Sequence, residues 1–203
     1  MKIVCIGRNY AEHARELNNE VPTEPVIFIK PDSALLRNSN PFYIPGFTKD
    51  VHYELELVVR IDRNGKSIPL QFARDYYSTM ALGIDFTARD LQQNLKDKGL
   101  PWEKAKGFDY SACIGNFVNI SQDQNMQDIK FEMHKNGQAV QLGHTADMIH
   151  TIDEVIAYVS QYFMLKTGDY LFTGTPAGVG PIAPGDLFEG YLEGEPNLSC
   201  AIH

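Results

Sequence analysis

Apolar and polar positions alternate most clearly in Val51-His52-Tyr53-Glu54-Leu55-Glu56-Leu57-Val58-Val59. Residues two apart in a strand share a face, so Glu54 and Glu56 project together while Tyr53, Leu55, Leu57 and Val59 cover the other side. This pattern predicts a strand over 54–61, ended by a hairpin-like turn at Asp62-Arg63-Asn64-Gly65-Lys66. Shorter apolar runs predict strands at 3–6, at 26–29 leading into Lys30-Pro31, and at 80–85. A hairpin is expected where 131–134 and 139–142 flank Asn136-Gly137. Helical spacing appears three times. The first stretch, 9–17, ends near Asn18-Asn19, and Pro22 and Pro25 bracket the loop that follows. The second opens at Thr87-Ala88-Arg89-Asp90 with a capping-box pattern and stops at Lys98-Gly99. The third covers 151–163, with Ile152, Val155, Ile156 and Val159 on one face. Residues 32–50 read as irregular loop with a strand fragment at 42–44, and Gly168-Asp169 and Gly185-Asp186 as turns leading into strands. This order lacks regular βαβ alternation. It favours an α+β fold dominated by mixed sheets, with 1–203 as one domain.

Composition narrows the partners. The chain has 203 residues, 43% hydrophobic and 22% charged, ordinary values for a globular protein with a real core. A net charge of −8 argues against nucleic acid or an anionic membrane as the main partner. A small anionic substrate stays compatible, since a bound cation and a few local bases can reverse the field inside a pocket. Cys5, Cys113 and Cys200 are odd in number and far apart, which suits reduced, packed thiols better than disulfides or zinc. The first seven residues are too short for a signal h-region, and no apolar run approaches membrane length; a cytoplasmic protein is expected.

The candidate chemistry starts with the acids. Side by side, Glu54 and Glu56 repel unless a cation lies between them, and Asp85 follows the apolar run 80–84, where an unpaired carboxylate is costly. Three carboxylates on apolar β segments suggest an oxygen-only site for Mg²⁺, or for Mn²⁺ or Ca²⁺. The competing account is a pair of acids on a solvated sheet face. His13 and Glu16 have i, i+3 spacing, which makes either a surface pair or an oriented general base. Arg89 and Gln92 repeat that spacing directly after Asp85 and can face the same region, as anion ligands or as an exposed helix face. Lys106 lies between Trp102 and Phe108, where it can neutralise an enolate oxygen or be solvated. The turn 172–180 lacks the nucleotide-loop pattern but suits backbone approach to a small anion.

Together and in order, these segments resemble a known family. They are Gly7-Arg8-Asn9-Tyr10 with His13 and Glu16, Lys30-Pro31, Glu54-Leu55-Glu56, the run 85–92, Ala105-Lys106-Gly107-Phe108-Asp109 and Thr173-Gly174-Thr175-Pro176. The set looks like the fumarylacetoacetate hydrolase family, in its short members such as acylpyruvases and oxaloacetate decarboxylases, which lack the extra N-terminal domain. The resemblance implies a mixed β-sheet roll with flanking helices, usually a homodimer. It implies Glu54, Glu56 and Asp85 as ligands of Mg²⁺ or Mn²⁺, and His13 with Glu16 as a catalytic dyad on a mobile lid over 11–25. It implies Arg89, Gln92, Lys106 and Thr175 around the oxo-acid head, and Lys30 as a further site lysine. The implied activity is C–C hydrolysis of acylpyruvates or decarboxylation of oxaloacetate, with isomerisation of a 2-hydroxydienoate or 2-oxo-enoate as the alternative. A non-catalytic oxo-acid binder is the second alternative. Asn116 stands where many relatives read Gly-Pro, a departure expected to bear on the substrate tail.

Overall fold

A computed structural model describes residues 1–16, 20–37 and 40–203. In chain order it begins with β1 (Ile3–Gly7), α1 (Ala11–Glu16), β2 (Val26–Lys30), β3 (Leu35–Arg37), β4 (Val51–Tyr53) and β5 (Leu55–Ile61). It continues through β6 (Tyr77–Asp85), β7 (Thr87–Ala88), α2 (Arg89–Asp97), α3 (Glu103–Lys106), β8 (Ala112–Ile114) and β9 (Val118–Asn119). The last part holds β10 (Lys130–Lys135), β11 (Gln138–His144), α4 (Ile152–Tyr162), β12 (Tyr170–Phe172), β13 (Gly180–Pro181), β14 (Leu187–Leu192) and β15 (Glu195–Ala201).

The main sheet runs β2-β1-β12-β5-β6-β8-β3, with β9 beside β6. It is mixed: β1–β12 and β3–β8 are parallel, while β5 pairs antiparallel with both β12 and β6. A second sheet, β11-β10-β14-β15, curls against it, and β13-β4-β7 forms a small third. This is the expected α+β architecture of curled mixed sheets with few helices.

Alternation along β5 sorts the two faces. Leu55, Leu57 and Val59 enter the large core with Leu82, Phe188 and the buried face of α4. Val58 enters a smaller cluster on the other face with Ile3, Cys5, Ala81 and Phe172. Glu54 and Glu56 lie on that second face, near one end of the strands. Opposite Glu56 stands Gly83, where a Cβ would come within 2.6 Å of the Phe172 ring, so β6 carries no side chain there. All three cysteines are free and buried, as packing residues.

Several local expectations hold. The Asn136-Gly137 turn has φ of 53° and 79°, the paired positive values a two-residue hairpin needs. Thr151 and Glu154 close a capping box on α4, and Ile152, Val155, Ile156 and Val159 are all buried.

Others are corrected. Thr87 does not cap α2; it lies in β7, Ala88 takes the cap position, and no side chain bonds there, because Lys106 uses the Thr87 hydroxyl. The 62–66 segment is no hairpin turn. Gly65 bridges to Leu165, and Ser67 and Ile68 donate backbone N–H to Ser160, so the chain wraps the end of α4 before returning as β6. Within 32–50 a short strand, β3, was not expected; it gains its partners from β8, far along the chain. The expected helix end at Asn18-Asn19 lies outside the described residues. Among the described residues no helix is long and apolar enough to cross a membrane.

Candidate active site

The floor of the site is built by β5 and β6. Glu54 follows β4 directly, Glu56 lies in β5, and Asp85 ends β6, its N–H donating to the Glu54 carbonyl at 2.8 Å. Their ligand oxygens all lie within 4.8 Å of one another, and all three side chains are buried. That excludes the solvated sheet face. Like charges this close need cations.

The protein supplies three. Lys106 Nζ donates to Glu54 Oε2 and Asp85 Oδ2, each at 2.7 Å, and to Thr87 Oγ1 at 2.6 Å. Arg89 donates to Glu54 Oε1 at 2.6 Å and to Gln92 Oε1 at 2.7 Å. Arg89 and Gln92 thus face the acids, but through Glu54 rather than Asp85. Lys30, wholly buried, pairs with Asp85 Oδ1 at 2.7 Å and donates to the Ser111 carbonyl and hydroxyl and to the Lys106 carbonyl. It stands behind the acids rather than on the cleft wall, so it is placed to fix Asp85, not to touch a substrate.

These partners divide the acids. Burial alone would raise the Glu54 carboxyl, yet Lys106 and Arg89 hold it well below the usual carboxylate range. Burial and then the charges of Asp85 and Glu54 push Glu56 well above that range, and the Gly174 N–H at 2.7 Å only partly opposes this. Lys106 is raised: Asp85 and Glu54 outweigh the cost of its burial. The triad therefore has one strongly under-compensated carboxylate. An all-oxygen donor set with that deficit fits a hard divalent cation.

The roof is α1 together with the turn 173–178. Asn9 fastens its root: the side chain donates to the carbonyls of His150 and Thr173 at 2.9 and 2.8 Å and accepts from the His150 N–H. Gly174 has φ of +101°, and a Cβ there would meet Asn9 Cβ at 2.6 Å, so glycine is needed at this crossing. His13 Nδ1 lies 3.3 Å from Glu16 Oε2, and the Glu16 carboxylate accepts the Gly178 N–H at 3.1 Å. With Nδ1 donating to Glu16, Nε2 is left to take a proton. Burial lowers His13 below the ordinary imidazole value despite the upward pull of Glu54 and Glu16.

Between floor and roof lies a cleft lined by His13, Glu54, Glu56, Asp85, Arg89, Gln92, Lys106 and Thr175, with Arg8, Lys96, Phe28 and Trp102 toward its edge. Its free space is about 40 Å³, room for roughly three waters. Eight of the ten expected site residues thus line one cleft; Glu16 stands behind His13 in the roof, and Lys30 stands behind the acids. Asn116 does not line it. It lines a separate hollow with Leu35 and Phe117, and its carbonyl accepts from Asn197.

The whole of residues 2–202 matches the model of the fumarylacetoacetate (FAA) hydrolase C-terminal family. The chain belongs to this family. The human mitochondrial oxaloacetate tautomerase FAHD1 is 41% identical over 200 residues, covering 98% of this chain and 90% of that protein. The mitochondrial oxaloacetate decarboxylase of Dictyostelium discoideum is also 41% identical, over 95% of this chain and 89% of its own. Among solved structures, fumarylpyruvate hydrolase from Pseudomonas aeruginosa, in complex with Mn²⁺ and pyruvate, superposes with a TM-score of 0.94 at 36% identity. That match covers 100% of this chain and 89% of the other. The family's members named here are enzymes of small oxo-acids.

Some contributors to the site gave no local signal. Gln141, on β11, accepts from the Leu55 N–H at 2.8 Å and donates to Thr175 Oγ1 at 2.9 Å, tying the end of β5 to the turn. Ser111 receives Lys30 and donates to the Lys106 carbonyl. Each is a single polar residue in an apolar stretch, and only the fold shows its partner.

Proposed function

We propose that this chain is a divalent-metal-dependent enzyme of 2-oxo acids, acting on oxaloacetate by tautomerisation or decarboxylation. The buried Glu54, Glu56 and Asp85 triad under a neutral, oriented His13 carries this reading. Glu54, Glu56 and Asp85 would hold Mg²⁺ or Mn²⁺, which supplies a Lewis acid for the keto oxygen. Arg89, steadied by Glu54 and Gln92, binds the head carboxylate, and Thr175 borders it. Lys106 places positive charge where the enolate oxygen develops. His13 Nε2 takes the C3 proton and returns it to oxygen in tautomerisation. In decarboxylation the C3–C4 bond breaks to give CO₂ and an enolate, and neutral His13 relays one proton from solvent water to C3. Glu16 holds the ring tautomer and its direction. Opening of α1 admits the substrate, and closing excludes water.

Acylpyruvate hydrolysis is the second reading, supported by the likeness to fumarylpyruvate hydrolase. It uses the same residues, with His13 activating a water against the distal carbonyl. A non-catalytic binder would be expected to lack the dyad or Lys106, and this chain has both. The catalytic unit is 1–203, and the exposed run Tyr162-Phe163-Met164 is available to a homodimer contact.

The test is turnover of oxaloacetate and of acetylpyruvate with Mg²⁺ and in excess EDTA. Metal-dependent loss of the oxaloacetate signal supports the first reading. Turnover of acetylpyruvate alone would replace it with the second, and undiminished rates in EDTA would contradict both.

A further inference from the structure

The inner charges of the cleft are already committed. Lys30, Lys106 and Arg89 are all paired with Glu54 or Asp85, while Glu56 takes only the Gly174 N–H, so by count the three carboxylates equal the three cations. A divalent ion added there is offset by the head carboxylate and the enolate oxygen of a 2-oxo acid. Nothing in that inner set remains for a second carboxylate on the substrate.

The edge of the cleft holds further positive charge. Arg8 lines it from the turn after β1, and Lys96 lines it from the last turn of α2. On α2, Arg89, Gln92 and Lys96 follow i, i+3, i+7 spacing. One helical stripe therefore leads outward from Glu54 to the edge, about 10 Å along the axis. Arg8 and Arg89 lie near enough to Lys96 to press its ammonium pKa down, after burial as the larger cause. Among the described residues no carboxylate forms an ion pair with Arg8. Its φ is +60°, a left-handed conformation that a non-glycine residue keeps only where its surroundings hold it. Phe28 and Trp102, tilted against each other with ring centroids 6.1 Å apart, also line the cleft and offer an apolar wall for a short carbon chain.

We propose that Arg8, with Lys96 beside it, is a second anion site that selects 2-oxo acids bearing a distal carboxylate. The site rests on the proposed function for its inner half, because the head of the ligand is held at the triad. It separates dicarboxylic substrates, such as oxaloacetate or longer oxo-diacids, from acylpyruvates with a neutral tail. Arg8 supplies a planar two-pronged donor, and Lys96 a point charge that tolerates differences in chain length.

The test uses two non-reacting probes with the full chain and Mg²⁺: 2-oxoglutarate, a dianion, and 2-oxobutyrate, a monoanion with a neutral tail. Calorimetric affinities are measured for wild type, Arg8→Gln, Arg8→Lys and Lys96→Gln. Wild type should bind 2-oxoglutarate the more tightly. Arg8→Gln should weaken it by roughly tenfold to a hundredfold, the range of a charged hydrogen bond, and leave 2-oxobutyrate within about twofold. Arg8→Lys should recover part of the loss, and Lys96→Gln should show a smaller version of it. An unchanged preference in Arg8→Gln, or equal weakening of both probes, would overturn the proposal. Oxaloacetate turnover is measured in parallel. Discrimination between the probes without turnover would sink the catalytic reading while leaving the second anion site standing.

Discussion

The floor and the roof of the cleft are held in opposite ways. On the floor, the carboxylate oxygens are held by the buried Lys30 and Lys106, by Arg89 and by the Gly174 backbone amide. Lys30 alone joins Asp85, Ser111 and the Lys106 carbonyl with no exposure to solvent. The roof is the six-residue α1, tied to the turn by Asn9 at its root and by Glu16 to the Gly178 N–H near its end. Six residues are too few to be stable alone, so α1 depends on those contacts. On the proposed mechanism the difference divides the work: the floor would fix charge in a dry place, and the roof would move a proton and open to admit the substrate.

The largest effect should come from the floor. Lys30→Met removes the buried partner of Asp85 Oδ1 and leaves Lys106 on Oδ2 alone, and such a break typically costs about 3–5 kcal/mol. Denaturant unfolding should show that loss, and a loss under about 1 kcal/mol would mean that Asp85 finds solvent or another cation. A roof substitution should separate rate from stability. His13→Ala should lower kcat by roughly 10²–10⁴-fold, the range of general acid–base catalysis, while oxalate binding with Mg²⁺ persists. A near-normal kcat would remove His13 from the chemistry.

The next contrast is in motion. Amides of residues 11–16 and of Gly178 should exchange faster than those of β5 and β6, and slow when Mg²⁺ and oxalate are added. Unchanged exchange in the roof would argue against a lid. The smallest effect concerns pH. Burial sets His13 below the ordinary imidazole value, so it is neutral at pH 7 and the acidic limb of kcat/KM lies below that value. Glu16 pulls upward, so Glu16→Gln should move the limb to lower pH, with a smaller fall in kcat than His13→Ala. Movement to higher pH would contradict the sign.

The floor was more legible in the sequence than the roof's fastenings. Period-two alternation placed Glu54 and Glu56 on one face because a strand admits no other arrangement, and the apolar run before Asp85 marked its burial. The i, i+3 spacing likewise brought His13 to Glu16 and Arg89 to Gln92. Contacts across the chain were not legible. Nothing near Gln141 points to Leu55, and nothing near Thr87 says that its hydroxyl serves Lys106 rather than capping α2. The 62–66 turn misled because Gly65 pairs with Leu165, a hundred residues away. Local pattern names the groups; long-range packing decides their partners.

The central claim is that Glu54, Glu56 and Asp85 form a divalent-metal site. Mn²⁺ titration of the wild-type chain and of Glu56→Gln, read by calorimetry and by thermal unfolding, tests it most directly. The account predicts one Mn²⁺ per wild-type chain, with about 2.7 kcal/mol of stabilisation at a hundredfold excess over Kd, and loss of both in Glu56→Gln. Absence of binding by wild type, or equal binding by Glu56→Gln, would contradict it.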